Sequence, residues 1–258
     1  MDAAPPIVKL QNVTKRYGDG PVVLSGVELE VRPQDFVSLI GPSGCGKSTV
    51  LKLISGLSPW TSGSVAVLGR MPRQARDRQA FIFQDATLLP WLTARRNVEV
   101  PLRLRGVGAV ERETKARNLL QRVGLDAVQD YYPRQLSGGM KMRVSIARAL
   151  TLEPELLLLD EPFGALDEMT RQRLNEELLA LREQWRFAAV FVTHSVAEAV
   201  FLSNRIIVMA ANPGRIHREV AVDFPYPRRD ALRETAEFQA KVNEVSRLLH
   251  AVEEGVRR

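Results

Sequence analysis

A single cysteine, Cys45, in 258 residues rules out any disulfide within the chain and fits a reducing compartment. Long apolar runs are missing as well. Nothing approaches the roughly 18 consecutive apolar residues of a membrane-spanning helix. Met1 to Val8 carries no basic segment followed by an apolar stretch, so no signal peptide is expected and the chain should be soluble on its own. The net charge is +6 and the pI is near 9.8, yet the basic residues form no block. Scattered positive charge reads as a solvated surface, with an anionic membrane face as the functional option, and gives no footprint for nucleic acid. Internal repeats and low-complexity segments are absent too. With 45% hydrophobic and 26% charged residues, the chain has the composition of a globular protein. It is long enough for one large domain, or a core domain with a subdomain.

What the sequence does contain is Gly41-Pro42-Ser43-Gly44-Cys45-Gly46-Lys47-Ser48-Thr49, a G-x-x-x-x-G-K-S loop placed directly after the apolar run Phe36 to Ile40. A buried strand ends there, and glycines let the backbone curl so that successive N–H groups point inward. A helix then begins at about Lys47, with Val50, Leu51, Leu53 and Ile54 on its apolar face and Gly56 as its stop. A helix N-terminus carries about half a positive charge and favours a polyphosphate. Lys47 would reach the β- and γ-phosphates of a nucleotide, and the Ser48 hydroxyl would ligate Mg²⁺. Cys45 reads as a small residue that fits the loop, and its alkylation is expected to block nucleotide binding.

Around this loop the pattern alternates. Residues 7–10 and 27–31 read as strands about a turn at Gly18 to Gly20, followed by strands at 65–68 and 80–83, the latter ending at Gln84. Residues 112–123 and 138–152 carry helical spacing. Residues 155–159 form an apolar strand suited to the centre of a parallel sheet. A helix over 169–184, a strand over 188–193, a helix over 196–202 and a strand over 205–209 follow. This predicts an α/β fold: a parallel core of the P-loop NTPase (RecA-like) kind with right-handed crossovers, an antiparallel β subdomain and an inserted α-helical subdomain at about 86–153. A tail over 223–258 ends in a helix with Phe238, Val242, Val245 and Leu249 on one face.

The strand Leu156 to Leu159 ends in Asp160 and Glu161. Asp160 would stand near Mg²⁺, and Glu161 would face the γ-phosphate as the general base for water. His194 follows the strand Val190 to Thr193 at its carboxyl end, where ligands bind in open α/β sheets. It reads either as a structural histidine or as a contact to the γ-phosphate and attacking water. Gln84, also at a strand end, has an amide that could touch Mg²⁺ or the water. Leu136-Ser137-Gly138-Gly139-Met140 adds a second phosphate-binding helix terminus, with Ser137 as N-cap and two glycines exposing N–H groups. A nucleotide could use both termini if two chains packed head-to-tail.

Over residues 7–222 these motifs resemble the ATP-binding subunit of an ABC transporter. The resemblance implies an ATPase domain over 1–222, with Gly41 to Thr49 as the Walker A loop and Gln84 as the Q-loop residue. Leu136 to Met140 is then the signature motif, Asp160 and Glu161 close the Walker B strand, Ala165-Leu166-Asp167 is the D-loop, and His194 is the switch histidine. It implies that Tyr17 stacks on adenine, although a strand-end aromatic is the alternative. It also implies an ATP–Mg²⁺ sandwich between two copies, with Ser137, Gly138, Gly139 and Asp167 facing the other copy's nucleotide. The partners implied are a separate transmembrane permease and, indirectly, a periplasmic or extracellular substrate-binding protein, at the cytoplasmic face of a bacterial membrane. The loop Leu88 to Thr93 would receive the permease's coupling helix. One departure stands out: Lys141-Met142-Arg143 carries Met142 where the family commonly has Gln. The Leu88 to Thr93 loop and Ala211 to Ile216 are similar to importers for nitrate, sulfonates and taurine, with systems for other organic anions or pyrimidine precursors close by. A soluble ABC ATPase of DNA repair or translation would carry a coiled-coil insertion or a second cassette. A small-molecule kinase would lack the signature motif and Glu161.

Overall fold

The computed structural model describes residues 4–257. Met1 to Ala3, the beginning of the segment read above for a signal peptide, lie outside the described residues. Strands β1 (Val8–Arg16) and β2 (Val22–Val31) pair antiparallel, and β4 (Ser62–Val67) adds to the other edge of β1. The result is a three-stranded sheet, β2-β1-β4. Between them, β3 (Phe36–Ile40) feeds α1 (Lys47–Ile54). The chain continues through β5 (Gln79–Ile82), α2 (Ala94–Leu104), α3 (Ala109–Arg122), α4 (Gly138–Leu150) and β6 (Leu156–Asp160). It ends with α5 (Glu168–Trp185), β7 (Ala188–Val192), α6 (Val196–Leu202), β8 (Arg205–Ala210), β9 (Arg215–Ala221) and α7 (Ala236–Arg257).

The second sheet has the order β5-β6-β7-β3-β8-β9, parallel from β5 through β8. Its apolar strands are buried on both faces because successive side chains point opposite ways. Leu156 and Leu158 enter the apolar layer shared with α1 and the three-stranded sheet. Leu157 and Leu159 enter the layer on the other face, with residues of α4, α5, α6 and α7. A run of four leucines is therefore two leucines for each layer. Between β5 and β6 the chain forms only helices and short 3₁₀ turns. Ala116, Leu120, Val144 and Ala147 there join the same apolar layer as the sheet's helical face.

Among the elements that differ from the sequence reading, α2 had no counterpart there and three others have a clear local cause. β9 runs antiparallel to β8 at the sheet edge. Only Val220 of it is buried, so its charged residues erase the alternation that would have marked it, as an edge strand tolerates. β5 begins and ends one residue early. Phe83 leaves the ladder, is exposed, and stacks on Phe81 at 4.4 Å. On α7 the buried positions are Phe238, Val245 and Val252, a spacing of seven, with Leu248 rather than Leu249 against the core. α7 packs on α6, β8 and β9.

Candidate active site

The carboxyl ends of β3, β6 and β7 converge on a cleft of about 330 Å³. It is lined by residues of the 43–49 loop, including Lys47 and Ser48, by Glu161 and His194, and by Val23 of β2. Close packing forces glycine at two points of the loop. At Gly46, with φ 96°, a Cβ would stand 2.5 Å from Leu24 Cδ2, and at Gly41 it would stand 2.5 Å from the Met209 carbonyl oxygen. Lys47 is buried, and its Nζ donates to the carbonyl oxygens of Gly41 at 2.9 Å and Pro42 at 3.1 Å. The ammonium thus sits inside the curl of the loop. Gly46 is the N-cap of α1 and supplies no side-chain cap, which leaves the first N–H groups of the helix to a ligand.

Ser48 Oγ donates to Asp160 Oδ1 at 2.8 Å. Burial pushes the Asp160 carboxyl above the usual carboxylate range, against the opposing effect of the Ser48 hydrogen bond. A desolvated carboxylate touching a hydroxyl offers two hard oxygen donors and little to balance charge. Among the described residues no group of three His, Cys, Asp or Glu side chains could cage a metal. That donor set fits Mg²⁺, which keeps waters and takes one or two protein oxygens together with substrate phosphates.

Glu161 follows Asp160 in the left-handed region, φ 49°, an unfavourable conformation for a non-glycine residue that persists where surroundings impose it. Its N–H donates to the Val192 carbonyl at 3.0 Å, and its own carbonyl accepts from Gly164 N–H at 3.1 Å. These bonds turn the side chain toward β7, where His194 Nε2 lies 2.8 Å from Glu161 Oε1. A carboxylate and an imidazole at hydrogen-bond distance beside a phosphate loop have the chemistry that proton transfer from a water would need.

The remaining expected residues fall elsewhere. Gln84 is exposed, with its amide nitrogen near Gly164, and Tyr17 is half exposed beyond the end of β1, with Lys15 Nζ 4.2 Å from its ring centroid. Ser137 is the N-cap of α4, its Oγ accepting from Met140 N–H at 3.3 Å. Gly138 and Gly139 abut the 166–170 turn so tightly that a Cβ on Gly139 would stand 2.8 Å from Thr170 Cγ2. Asp167 caps α5 through Thr170 N–H at 2.9 Å, and those backbone donors hold its carboxyl below the usual range. The α4 terminus therefore lies outside the cleft of its own chain.

The Cys45 side chain is fully buried in the apolar layer beneath the loop, where a small residue fits, and its Sγ stands 3.9 Å from Lys47 Nζ. Burial pushes the thiol up. Met142 is likewise buried in the layer next to α4.

Two residues at or near the cleft had no signal in the sequence. Val23 forms part of the cleft wall. Arg148, two turns and more along α4, donates to the carbonyl oxygens of Ala86 and Thr87 at 2.8 and 2.9 Å, fixing the loop that carries Gln84.

A sequence-family profile described as ABC transporter matches residues 24–164. The chain belongs to the ABC transporter family. An aliphatic sulfonates import ATP-binding protein of Bacillus cereus is 44% identical over 85% of this chain and 86% of its own length. An ABC transporter ATP-binding protein of Methanocaldococcus jannaschii is 42% identical over 91% of this chain and 89% of its own. Among solved structures, the ATP-binding cassette MJ0796, a dimer in a post-hydrolysis state with ADP and Pi, is 35% identical with a TM-score of 0.76. It matches over 84% of this chain and all of that one. The fold is that of an ABC ATPase cassette, and the chain is an ABC-type ATPase.

Proposed function

We propose that the chain is the ATP-hydrolysing subunit that energises import of a small anion through a separate membrane permease, with a sulfonate, nitrate or taurine as cargo. The observation that carries the reading is the single cleft holding Lys47, Ser48, Glu161 and His194, with Asp160 one hydrogen bond away. The α4 terminus meanwhile lies outside that cleft. The import ATP-binding protein at 44% identity supports the sulfonate end of the cargo range.

Each residue then has a defined task. Lys47, held by two carbonyls, turns its ammonium to the β- and γ-phosphate oxygens, and the open N–H groups of the loop and α1 surround the rest of the chain of phosphates. Tyr17 supports the adenine face. Ser48, Asp160 and Gln84 would hold Mg²⁺, which would neutralise charge building on the phosphate oxygens. Glu161 takes the proton of the attacking water, and His194 holds that water and the γ-phosphate in line. Such a base contributes on the order of 10²- to 10⁴-fold. Ser137, Gly138, Gly139 and Asp167 serve the nucleotide of a second copy packed head-to-tail, as in the dimeric MJ0796 structures.

The ATPase body over 1–222 meets the permease through the helical insertion, about 86–153. There Trp91 is exposed at the tip of the 88–93 loop. Fully buried Asn97 shapes that loop through both its amide groups, accepting from Leu89 N–H at 2.8 Å and donating to the Leu89, Leu92 and Thr93 carbonyls. The site of action is the cytoplasmic face of a bacterial membrane, with a substrate-binding protein on the far side.

Glu161→Gln tests the reading. Light scattering should show a monomer without nucleotide and a dimer with ATP and Mg²⁺, while hydrolysis falls at least 100-fold. Unchanged hydrolysis would refute the base, and a monomer in both conditions would refute the sandwich of two free subunits.

A further inference from the structure

The turn that carries His194 is closed by a relay that changes the usual form of a helix cap. Ser195 is the N-cap of α6, and its Oγ accepts from Glu198 N–H at 3.3 Å. In an ordinary capping box the side chain three residues on would reach back to the N-cap N–H. Here Thr193 stands between the two. Its Oγ1 accepts from Ser195 N–H at 3.0 Å and donates to Glu198 Oε2 at 2.5 Å. The residues on both sides of His194 are therefore tied to Glu198, one to its carboxylate and one to its backbone N–H. Thr193 and Glu198 are both buried, and Asn175 of α5 also faces the Glu198 carboxyl.

We propose that Glu198 is the positioning residue that aims His194 at Glu161, acting through the hydroxyl of Thr193. This rests on the reading of His194 as the γ-phosphate and water contact. The imidazole can hold its 2.8 Å contact to Glu161 only while the 193–195 backbone keeps its direction, and no other side-chain hydrogen bond found in that turn sets it. The relay also reaches beyond the cleft. Arg171 of α5 and Arg233 of the tail act on the Glu198 carboxyl from two further elements. Thr170 in the first turn of α5 meets Gly139, so Arg171 links the Glu198 carboxyl to the helix that abuts the α4 terminus.

The test uses the full chain and reads two quantities. His194, His217 and His250 are the only histidines, so their ring proton resonances are separable by NMR, with His194 assigned by its loss in His194→Ala. Thr193→Val should move the His194 resonance and leave the other two, and Thr193→Ser should restore it. In ATPase assays Thr193→Val and Glu198→Ala should lower kcat about tenfold, the scale of a small misplacement of a reacting group, with KM for ATP within twofold of wild type. Glu198→Gln keeps an acceptor for the Thr193 hydroxyl and should stay within about threefold in kcat; it also serves if the alanine variant fails to fold. An unmoved His194 resonance in Thr193→Val, or a Glu198→Gln loss equal to that of Glu198→Ala, would overturn the proposal. A wild-type chain without ATPase activity would instead refute the functional reading, and the resonances would still report on the relay.

Discussion

The Ser48 hydroxyl donates to the Asp160 carboxylate at 2.8 Å across a sequence separation of 112 residues. This one bond joins the phosphate loop to the end of β6. It exists because β3 and β6 both flank β7 in the parallel sheet, which brings their carboxyl ends to one edge. Burial raises the Asp160 carboxyl above the usual range even though the hydrogen bond from Ser48 opposes it, and a bound cation would favour the ionised form.

Lys47→Ala should lose ATP affinity by roughly 100-fold, about 2.7 kcal/mol, because the only ammonium found inside the loop goes with it. The Gly41 and Pro42 carbonyls that it bridges lose their donor as well. Titration with a fluorescent ATP analogue reads this directly, and wild-type affinity would rule out the assignment.

Arg228 binds the tail to the body of the molecule. It is buried, and it donates to the carbonyls of Val200, Phe201 and Ser203 at 3.0, 2.8 and 2.9 Å. These are the carbonyls that α6 leaves open at its C-terminus, where a cation is also favoured by the helix dipole. Its guanidinium stacks over Tyr226 at 4.2 Å. Arg228→Met should cost roughly 2–4 kcal/mol by stranding buried acceptors, measured as a lowered urea midpoint at unchanged slope.

Cys45 should resist iodoacetamide at pH 8 in the folded chain and react fully in urea. Its thiol is buried and its pKa raised, so the thiolate fraction at that pH falls below that of an ordinary cysteine. The linked stability from the neutral thiol is present at low pH and is lost as pH rises through the elevated folded value. Rapid labelling of the native protein would contradict this placement.

Gly139→Val should disturb the junction of α4 with the 166–170 turn, since even a Cβ there stands 2.8 Å from Thr170 Cγ2. The expected result is loss of the ATP-dependent dimer in a Glu161→Gln background, with single-chain ATP binding within about threefold of the parent, a shift below 1 kcal/mol. Retention of the dimer would separate the α4 terminus from the second nucleotide.

Local chemistry made much of the fold legible. Gly41 to Thr49 after an apolar pentad, and four leucines before Asp160 and Glu161, mark strand, loop and helix because each needs only neighbours in sequence: backbone freedom, helix polarity and burial on both faces. The same holds for the helix ends at Ser137 and Gly138. β9 was not legible, since an edge strand satisfies its side chains with solvent and keeps no alternation. Neither was the direction of the Cys45 side chain, because a loop residue has no periodic face and Leu24, Met209 and the α1 layer decide what lies behind it. The sequence by itself thus determined which residues could grip phosphate and move a proton, through composition and spacing. Only the tertiary structure decided that Ser48 meets Asp160, that Glu161 meets His194, that Thr193 carries a cap from Ser195 to Glu198, and that the α4 terminus lies outside the cleft. Those are contacts between chain segments far apart or turned by backbone geometry, and their distances are set by sheet order and packing rather than by any local preference.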